Sequence, residues 1–322
     1  MAMAPDFPSA CGSRLPWESV GADVVRSLED HFGAPVAGAF TRPEGFSPAV
    51  AAVVDFENGS RAFVKAVNRE ANPDSPGMYR REARTAGQLP SRDWVPRLLW
   101  TYDDGEWVAL AFEPVDGSSP RLPWEETDLG RVLGALTRLA RDNTLTSVDV
   151  AGIAFLGPAF RHWRGLAEAG DDAVGRLALL EPWAARNIER LARLEADWEA
   201  AAAGDTLVHA DLRADNILLT ADRVVFVDWA AAARAAAWVD LLFFLPSVAM
   251  QGGPRPAEVF QGHPLGARAP AAAVSAVLCA LTGFFLGNAL LPAPLGLPTL
   301  RAFQLGQGLE AAAWLRERTG WA

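Results

Sequence analysis

The sequence predicts an α+β protein of two lobes, with a small mixed β-sheet N-lobe over residues 1–113 and a larger, mainly helical C-lobe over residues 114–322. Two observations predict this division. Short β-type runs joined by turn residues fill the first third of the chain, and long amphipathic helical patterns follow Pro114. With 322 residues, of which 50% are hydrophobic, the chain is long enough to bury a full core.

The predicted N-lobe begins with a helix and a hairpin. An amphipathic pattern over residues 16–35 indicates the helix, and Gly33 ends it. β-type runs over residues 49–56 and 61–67 then flank the letters ENGS. Asn-Gly between two such runs is the strongest short-range signal for a β-hairpin, so we expect these runs to pair as antiparallel strands.

A second hairpin and a second helix complete this lobe. The runs over residues 96–102 and 106–115 flank the letters DDG and predict another antiparallel pair. Between the two hairpins, residues 76–90 have a helical pattern that contains Glu82 and is bounded by a proline at each end. We therefore expect an antiparallel sheet accompanied by helices.

Long amphipathic helices dominate the predicted C-lobe. The patterns over residues 128–142 and 181–200 place apolar residues at helical spacing, which indicates contact with a core and not a ligand site. The exception is a pair of short β-rich runs, residues 216–220 and 224–228, which predict a small hairpin among the helices.

One apolar segment is long enough to raise the question of a membrane. Residues 269–300 carry no charge, and the part from Ala273 to Leu291 could cross a bilayer by its length. Its polar residues, its Pro-rich exit and the absence of flanking Lys or Arg clusters argue against a span. The segment is expected to be a buried core helix, and no membrane partner is expected.

Charge and cysteine content exclude other classes of protein. The formal net charge is −10, the pI is near 5.0 and the basic residues are scattered, so nucleic acid is not expected as a partner. An acidic surface favours a cationic substrate or simply keeps the protein soluble. Cys11 and Cys279 have no metal-type spacing, and the N-terminal residues lack the pattern of a secretory signal. A cytoplasmic protein is expected.

One stretch, LVHADLRADNILLTADRVVFVDWA at residues 207–230, gathers polar side chains between apolar runs. Its hairpin places Asn216 at the entry and Asp228 at the exit, so an amide and a carboxylate converge. Hard oxygen ligands of this kind suit Mg²⁺, which completes its coordination with water and the phosphates of a nucleotide. Asp211, in the loop before the hairpin, is a candidate general base for an attacking hydroxyl.

The spacing of these residues also carries a resemblance. His-x-Asp-x-x-x-x-Asn followed by an aspartate on a strand is the catalytic-loop pattern of protein-kinase-like enzymes. Over nearly its whole length the chain resembles the aminoglycoside phosphotransferase family. The resemblance implies a bilobal protein-kinase-like fold and an ATP-dependent phosphotransferase with ATP and Mg²⁺ as cofactors. The acceptor would be a hydroxyl of a small molecule, such as an aminoglycoside or another antibiotic.

The resemblance assigns nucleotide-binding residues in the N-lobe. Lys65 matches the phosphate-holding lysine, and Glu82 in the following helix matches the glutamate that pairs with it. Residues 42–50 match the loop that lies over the phosphates, where Ser47 offers a hydroxyl. Because this loop has a single glycine, it could also be a simple turn.

The junction between the lobes matches the linker that holds adenine through its backbone. Pro114 has no N–H group. We therefore expect the Glu113 carbonyl and the Val115 N–H to make the contacts with adenine.

Residues around the catalytic loop have alternative roles. Arg213 either neutralises the migrating phosphoryl group or pairs with Asp215. His209 is expected to pack and hydrogen-bond within the loop and not to carry a proton. Asp240 matches the aspartate that accepts backbone hydrogen bonds from this loop, and a helix N-cap is its alternative role.

The sequence departs from the kinase pattern in two places. Asp228 is followed by Trp229, and no activation loop ending in APE follows, so regulation through such a loop is not expected. Ala210 stands where many relatives have glycine, and we expect the turn to tolerate its extra methyl group.

No motif names the acceptor. Glu310 is a candidate for its pocket, and residues 307–322 could line that pocket or pack the end of the chain. The alternative function is a kinase for a metabolite, such as a sugar or amino alcohol, or for Ser and Thr of a peptide. A nucleotide-binding scaffold without activity is a third, which the complete set of candidate residues in both lobes disfavours.

Overall fold

The computed structural model describes residues 12–42, 45, 49–70, 72–73, 75–142 and 147–322. Within these residues the N-terminal lobe has a five-stranded sheet and two helices. Its elements, in chain order, are α1 (Ala22–Phe32), β1 (Val36–Thr41), β2 (Val50–Phe56), β3 (Arg61–Asn68), α2 (Ser75–Ala86), β4 (Leu98–Asp103) and β5 (Trp107–Phe112).

The five strands form one antiparallel sheet in the order β1-β2-β3-β5-β4. Both predicted hairpins are confirmed, β2 with β3 and β4 with β5. Strand β3 is central, and in it Lys65 lies opposite Ala51 on one side and Leu110 on the other. The sheet therefore fixes the position of Lys65 from both sides.

The turn residues of the two hairpins adopt the conformations that their chemistry favours. Gly59 and Gly105 have positive φ angles of 83° and 92°, which cost glycine little. The Asn58 side chain accepts the Ser60 N–H at 2.9 Å, and Asp104 accepts the Trp107 N–H at 2.7 Å. These side-chain oxygens accept backbone N–H groups within the turns and so stabilise them.

Helices cover both faces of the sheet. On one face α1 buries Val24 and Leu28 against a cluster that includes Val54 of β2. On the other, Tyr79 of α2 packs with Leu110 of β5. The amphipathic pattern of α1 thus serves core packing, as predicted, and α2 brings its polar residues close to β3.

The C-terminal lobe is mainly helical and carries two short antiparallel strand pairs, β6 with β9 and β7 with β8. Its elements are α3 (Glu126–Arg141), α4 (His162–Ala169), α5 (Asp171–Leu180), α6 (Pro182–Arg186), α7 (Ile188–Glu195), α8 (Trp198–Ala202), β6 (Thr206–Val208), β7 (Ile217–Leu219), β8 (Val224–Phe226), β9 (Ala233–Ala235), α9 (Val239–Met250), α10 (Pro256–Gly262), α11 (Ala271–Ala289) and α12 (Leu300–Thr319). We keep residues 1–113 and 114–322 as the proposed division into lobes.

The prediction of one long helix over residues 181–200 is wrong, because this stretch forms the three short helices α6, α7 and α8. Asn187 separates the first two, and its side-chain Nδ2 donates to the carbonyls of Trp183 and Ala322 at 3.0 Å each. A side chain that binds backbone carbonyls competes with the continuous helix. The apolar stripe still packs inward, since Leu191 and Trp198 are fully buried.

Helix α11 is the apolar segment that could span a membrane by length and composition. In the described part of the chain it is the one helix of that kind, and 67% of it is buried inside the protein. It packs in the C-lobe core against α12 and α7, with Val277, Leu278 and Cys279 among its fully buried residues. The expected core helix is found, and the absence of a membrane partner stays a prediction.

Candidate active site

The candidate catalytic loop follows strand β6, and Asp240 holds it through hydrogen bonds to its backbone. This carboxylate accepts the N–H of His209 on Oδ2 and the N–H of Ala210 on Oδ1, both at 2.8 Å. Asp240 lies in the first turn of α9, whose N-cap residue is Trp238. The predicted hydrogen bonds from the loop backbone to Asp240 are therefore present. The alternative prediction, that Asp240 is a helix N-cap, is wrong.

His209 has a structural position in this loop. Its Nε2 lies 2.8 Å from the Val227 carbonyl, and its Nδ1 accepts the N–H of Asp211 at 3.3 Å. This pair of bonds requires the neutral ring with its proton on Nε2. Burial lowers the pKa of His209, which favours the same neutral form. The ring links the loop to Val227, directly after strand β8, in agreement with the predicted packing role.

Ala210 adopts an unfavourable backbone conformation in this loop. Its φ angle is 61°, in the left-handed region that is rare for residues with a Cβ atom. The turn does accept the extra methyl group that the sequence places here. Since Asp240 binds the Ala210 N–H, the surrounding structure enforces this conformation.

Asp211 faces the cleft with a guanidinium group beside it. Arg213 donates to Asp211 Oδ1 at 2.5 Å and forms a bidentate pair with Asp215 at 3.1 and 2.9 Å. Desolvation raises the pKa of Asp211 to about 6, although Arg213 acts in the opposite direction. The pairing predicted between Arg213 and Asp215 is present, and the same side chain also orients the candidate base.

Asn216 and Asp228 stand at the two ends of the β7–β8 hairpin, as predicted. The Asn216 side-chain Nδ2 donates to the Asp211 carbonyl at 2.8 Å, which orients the amide and leaves its oxygen as a possible ligand. The Val227 N–H donates to the Asn216 carbonyl at 3.0 Å, so the two ends of the hairpin are tied together. Asp228 has a φ angle of 69°.

Lys65 connects the two lobes through carboxylates. Its Nζ lies 2.6 Å from Glu82 Oε2 in the N-lobe and 3.2 Å from Asp228 Oδ1 in the C-lobe. It also lies 5.0 Å from the centre of the Tyr79 ring. The predicted pair of Lys65 and Glu82 is formed, and the structure adds a direct contact with the candidate metal ligand.

The charges of this group follow from burial and from mutual attraction. Burial opposes the charge on Lys65, but Asp228 and Glu82 outweigh it and raise the pKa of Lys65 above its ordinary value. Burial would raise the pKa of Asp228, but Lys65 outweighs it and holds this pKa below its ordinary value. The site therefore presents a charged ammonium group and an ionised carboxylate to whatever binds between the lobes.

The predicted phosphate loop is described in part. Ser47 lies outside the described residues, while Gly45 has a φ angle of 92°. A side chain at Gly45 would meet the Arg14 guanidinium at 2.8 Å and would lie 4.0 Å from Asp215. The loop thus approaches the catalytic loop closely, and Arg14 is a neighbour that no sequence motif indicated, because about 200 residues separate it from Asp215.

The linker residues lie directly after β5. Glu113 donates its backbone N–H to the Arg97 carbonyl at 2.9 Å, and its carboxylate pairs with Arg97 at 3.0 Å. The Val115 carbonyl accepts the N–H of Gly117 at 3.0 Å. The atoms predicted to contact adenine, Glu113 O and Val115 N, take part in none of these bonds.

Trp229, which departs from the kinase sequence pattern, has a structural role that the sequence does not indicate. The indole is buried, its Nε1 donates to the Phe226 carbonyl at 2.9 Å, and its ring lies 4.7 Å from the His209 ring. It thereby anchors the backbone directly after Asp228. The hydrophobic character of the residue was the available signal, but its partners are set by the fold.

The C-terminal residues pack into the C-lobe. Ala311, Trp314 and Leu315 of α12 are buried in the core. Burial raises the pKa of Glu310 on the same helix. The packing role expected for residues 307–322 is therefore present, and their contact with an acceptor stays a prediction.

A comparison with protein-family models identifies the chain. The model of the phosphotransferase enzyme family (APH) matches residues 40–274. This range includes the candidate catalytic, metal-binding and nucleotide-binding residues, while Arg14 and Glu310 lie outside it. The chain belongs to this family. The family confirms the predicted enzyme class, an ATP-dependent phosphotransferase that acts on an alcohol group. A comparison with curated proteins gives no match.

Several solved structures share the fold of this chain at low sequence identity. A choline/ethanolamine kinase family protein from Mesorhizobium loti has a TM-score of 0.52 at 16% identity, covering 83% of this chain and 85% of its own. A putative fructosamine-3-kinase from Haemophilus somnus 129PT has a TM-score of 0.53 at 12% identity, covering 89% and 96%. Amicoumacin kinase hAmiN, in complex with AMP-PNP, Ca²⁺ and Ami, has a TM-score of 0.51 at 11% identity, covering 81% and 85%.

Proposed function

We propose that this protein transfers the γ-phosphate of Mg·ATP to a hydroxyl group of a small molecule, with Asp211 as the general base. One observation carries this proposal. The β7–β8 hairpin of the C-lobe is preceded by Asp211 and Asn216 and followed by Asp228. The Nζ atom of Lys65, in the N-lobe, lies 3.2 Å from Asp228 Oδ1. Phosphoryl transfer depends mainly on positioning and on neutralisation of charge, and this group supplies both.

The nucleotide side of the site consists of Lys65 and Glu82. The ammonium group of Lys65 binds phosphate oxygens, and Glu82 holds that group in place through its 2.6 Å contact. Glu113, Val115 and Ser47 complete the proposed nucleotide set on the strength of the family resemblance. The adenine contacts use backbone atoms and so depend on the course of the linker.

Asn216 and Asp228 are the proposed metal ligands, and their chemistry fits Mg²⁺. Asp228 is ionised, its side chain is 37% exposed to the cleft, and the Asn216 amide is oriented by its bond to the Asp211 carbonyl. Among the described residues no group of three or more His, Cys, Asp or Glu side chains could hold a metal by itself. Mg²⁺ needs only one or two protein carboxylates, and when bound it neutralises the phosphate charge.

Asp211 acts on the acceptor. Its carboxylate accepts the proton of the acceptor hydroxyl as that oxygen forms a bond with the γ-phosphorus and the bond to ADP breaks. Arg213 holds the carboxylate through the 2.5 Å contact with Oδ1, and Asp215 fixes the guanidinium from the other side. Arg213 therefore positions the base, and its charge also lies close to the transferred group.

The proposed acceptor is an antibiotic, such as an aminoglycoside. The alternatives are a metabolite, such as a sugar or an amino alcohol, and Ser or Thr of a peptide. The three structural neighbours bear names from the first two of these classes. At identities of 16% or less, their likeness supports the fold alone. A panel of acceptors decides between these classes.

The test measures ATP consumption with Mg²⁺ across antibiotics, sugars, amino alcohols and peptides. With the acceptor that emerges, Asp211→Asn is expected to lower kcat by about 100- to 10 000-fold, because the base is lost while the shape is kept. Asp205→Asn, an exposed aspartate near strand β6, is the matched control and should leave kcat unchanged. Full turnover by Asp211→Asn would contradict the assignment of the base.

A further inference from the structure

A cavity of about 350 Å³ lies between helices α4 and α5 and the C-terminal end of α11. Its volume falls in the range of sites that bind small molecules. The residues that determine its chemistry are Arg161, His162, Leu166, Arg176, Leu290 and Leu291. None of them belongs to the site proposed above for phosphoryl transfer.

Part of the lining of this cavity is apolar. Leu166, Leu290 and Leu291 belong to it, and Leu291 is 48% exposed. Gly287 brings the backbone of α11 to the cavity, since a Cβ atom there would lie 2.4 Å from Nδ1 of His162. A ligand with an apolar body can therefore cover leucine side chains that are now open to water.

The lining also carries positive charge, although the whole chain has a net charge of −10. Arg161, the N-cap residue of α4, and Arg176 of α5 are its cations, and Glu168 is the acidic residue in the lining. Glu168 lies 3.9 Å from Arg161 with its side chain 69% exposed, so this contact compensates the charge weakly. Arg176 adds a second cation to the lining.

A third guanidinium group, that of Arg301, is linked to His162 through Asn288. Arg301 donates to the oxygens of Pro292, Asn288 and Gln304, and all three oxygens are neutral. In the part of the chain that the structure describes, no ion pair joins Arg301 to a carboxylate. Asn288 in turn contacts His162 Nε2 at 3.2 Å, which connects this uncompensated charge to the cavity wall. Burial and the charge of Arg301 lower the pKa of His162, so its ring adds no charge of its own.

We propose that this cavity binds a small molecule with an apolar body and an anionic group. The leucines of the lining contact the body, and Arg161 and Arg176 bind the anion. The same charges disfavour a cationic ligand such as a polyamine, because like charges repel. This site goes beyond the proposed transfer reaction.

One loop connects the cavity with the N-terminal segment. Leu290 and Leu291 begin this loop, between α11 and α12, and further along it the Gly296 carbonyl accepts the N–H of Ser13 at 2.8 Å. Ser13 precedes Arg14, which lies beside Gly45 of the proposed phosphate loop. A molecule bound in the cavity either accepts the phosphoryl group or binds without reacting, and the experiment below distinguishes the two.

The experiment uses three compounds with one carbon skeleton and one hydroxyl in common, ω-hydroxyoctanoate, the corresponding diol and ω-aminooctanol. Calorimetry measures their binding to the full-length protein without nucleotide. The anion is expected to bind about fivefold more tightly than the diol, with the amine weakest, as one partly exposed ion pair contributes roughly 1 kcal/mol. The Arg161→Ala/Arg176→Ala variant should lose this order. Arg186→Ala removes an exposed charge on α6 and should keep it.

Equal affinity for the three compounds, absence of binding of the anion, or an unchanged order in the double variant would overturn the proposal. Consumption of ATP with ω-hydroxyoctanoate that the double variant loses identifies the cavity as the acceptor site, and binding without consumption identifies a non-reacting ligand; the anion site stands in both cases. Asp211→Asn should bind the anion as the parent protein does, so a wrong base assignment is distinguishable from a wrong cavity assignment.

Discussion

At the scale of single residues, the catalytic loop is held by bonds to its backbone as well as by its side-chain pairs. Asp240 accepts two consecutive backbone N–H groups, and His209 connects the next one to the Val227 carbonyl. Removal of such a buried acceptor leaves N–H groups unsatisfied. The loop therefore has little freedom to relax, and the positive φ angle of Ala210 persists within it.

We expect Ala210→Gly to stabilise the protein by about 0.5–1 kcal/mol. A residue with a Cβ atom pays about 1–2 kcal/mol for left-handed backbone, and glycine avoids that cost while losing somewhat more entropy on folding. Urea unfolding measures the difference. Ala313→Gly on the exposed side of α12 is the control and should destabilise by about 1 kcal/mol, because its backbone is helical. Equal losses in both variants would contradict the strain at Ala210.

Much of the site was predictable at this scale. Asp211, Asn216 and Asp228 follow from the spacing of the catalytic-loop pattern, and the family resemblance assigns Lys65 and Glu82. Their side chains meet as expected in the structure, and their roles stay proposals. The neighbours that hold them could not be predicted, since contacts such as that of Trp229 with His209 depend on the packing of separate elements.

At the scale of elements, glycines let helix α11 lie close to its neighbours. A Cβ atom at Gly283 would be 2.8 Å from Trp163 Nε1, and one at Gly308 of α12 would be 2.7 Å from the Leu286 side chain. The Trp163 indole cannot move away easily, because its Nε1 donates to the Cys279 carbonyl at 2.8 Å. The weak amphipathic character of α11 thus reflects contacts on most of its sides.

We expect Gly283→Ala to destabilise the protein by about 1 kcal/mol or more. Overpacking a core costs about 1–3 kcal/mol, which exceeds the gain of roughly 1 kcal/mol in helix propensity. Gly130→Ala on α3 is the matched control, because the site is exposed and nothing lies within 4 Å of the added methyl group. This variant should gain up to about 1 kcal/mol in thermal unfolding. A gain in both variants would show that α11 packs more loosely than described.

At the scale of the whole molecule, the two lobes meet through charges at the proposed nucleotide site. Lys65 of β3 contacts Asp228, and Arg81 of α2 donates to the Ala230 carbonyl at 3.4 Å. The Ser13 N–H and the Leu15 N–H bind the carbonyls of Gly296 and Ala49, so the N-terminal segment touches both lobes. A ligand between the lobes therefore acts on both of them.

We expect AMP-PNP with Mg²⁺ to raise the stability of the protein by about 2.7 kcal/mol at a concentration near 100 times its Kd. The increase in Tm should shrink when a chelator removes the metal. In Asp228→Ala the effect of Mg²⁺ should vanish, while Asp205→Asn should respond as the parent protein does. The same Mg²⁺ effect in Asp228→Ala would contradict its role as a metal ligand.

The sequence by itself determined the three hairpins, the α+β class and the grouping of Asp211, Asn216 and Asp228, because local turn chemistry, periodicity and the catalytic-loop spacing are all contained in short stretches. The family resemblance adds Lys65 and Glu82. Only the tertiary structure decided the break of residues 181–200 into three helices, the approach of Arg14 to the candidate catalytic loop and the grouping of Arg161 and Arg176 at one cavity beside α11. Each of these depends on groups far apart in the chain, whose contacts arise when burial of apolar surface brings the elements together.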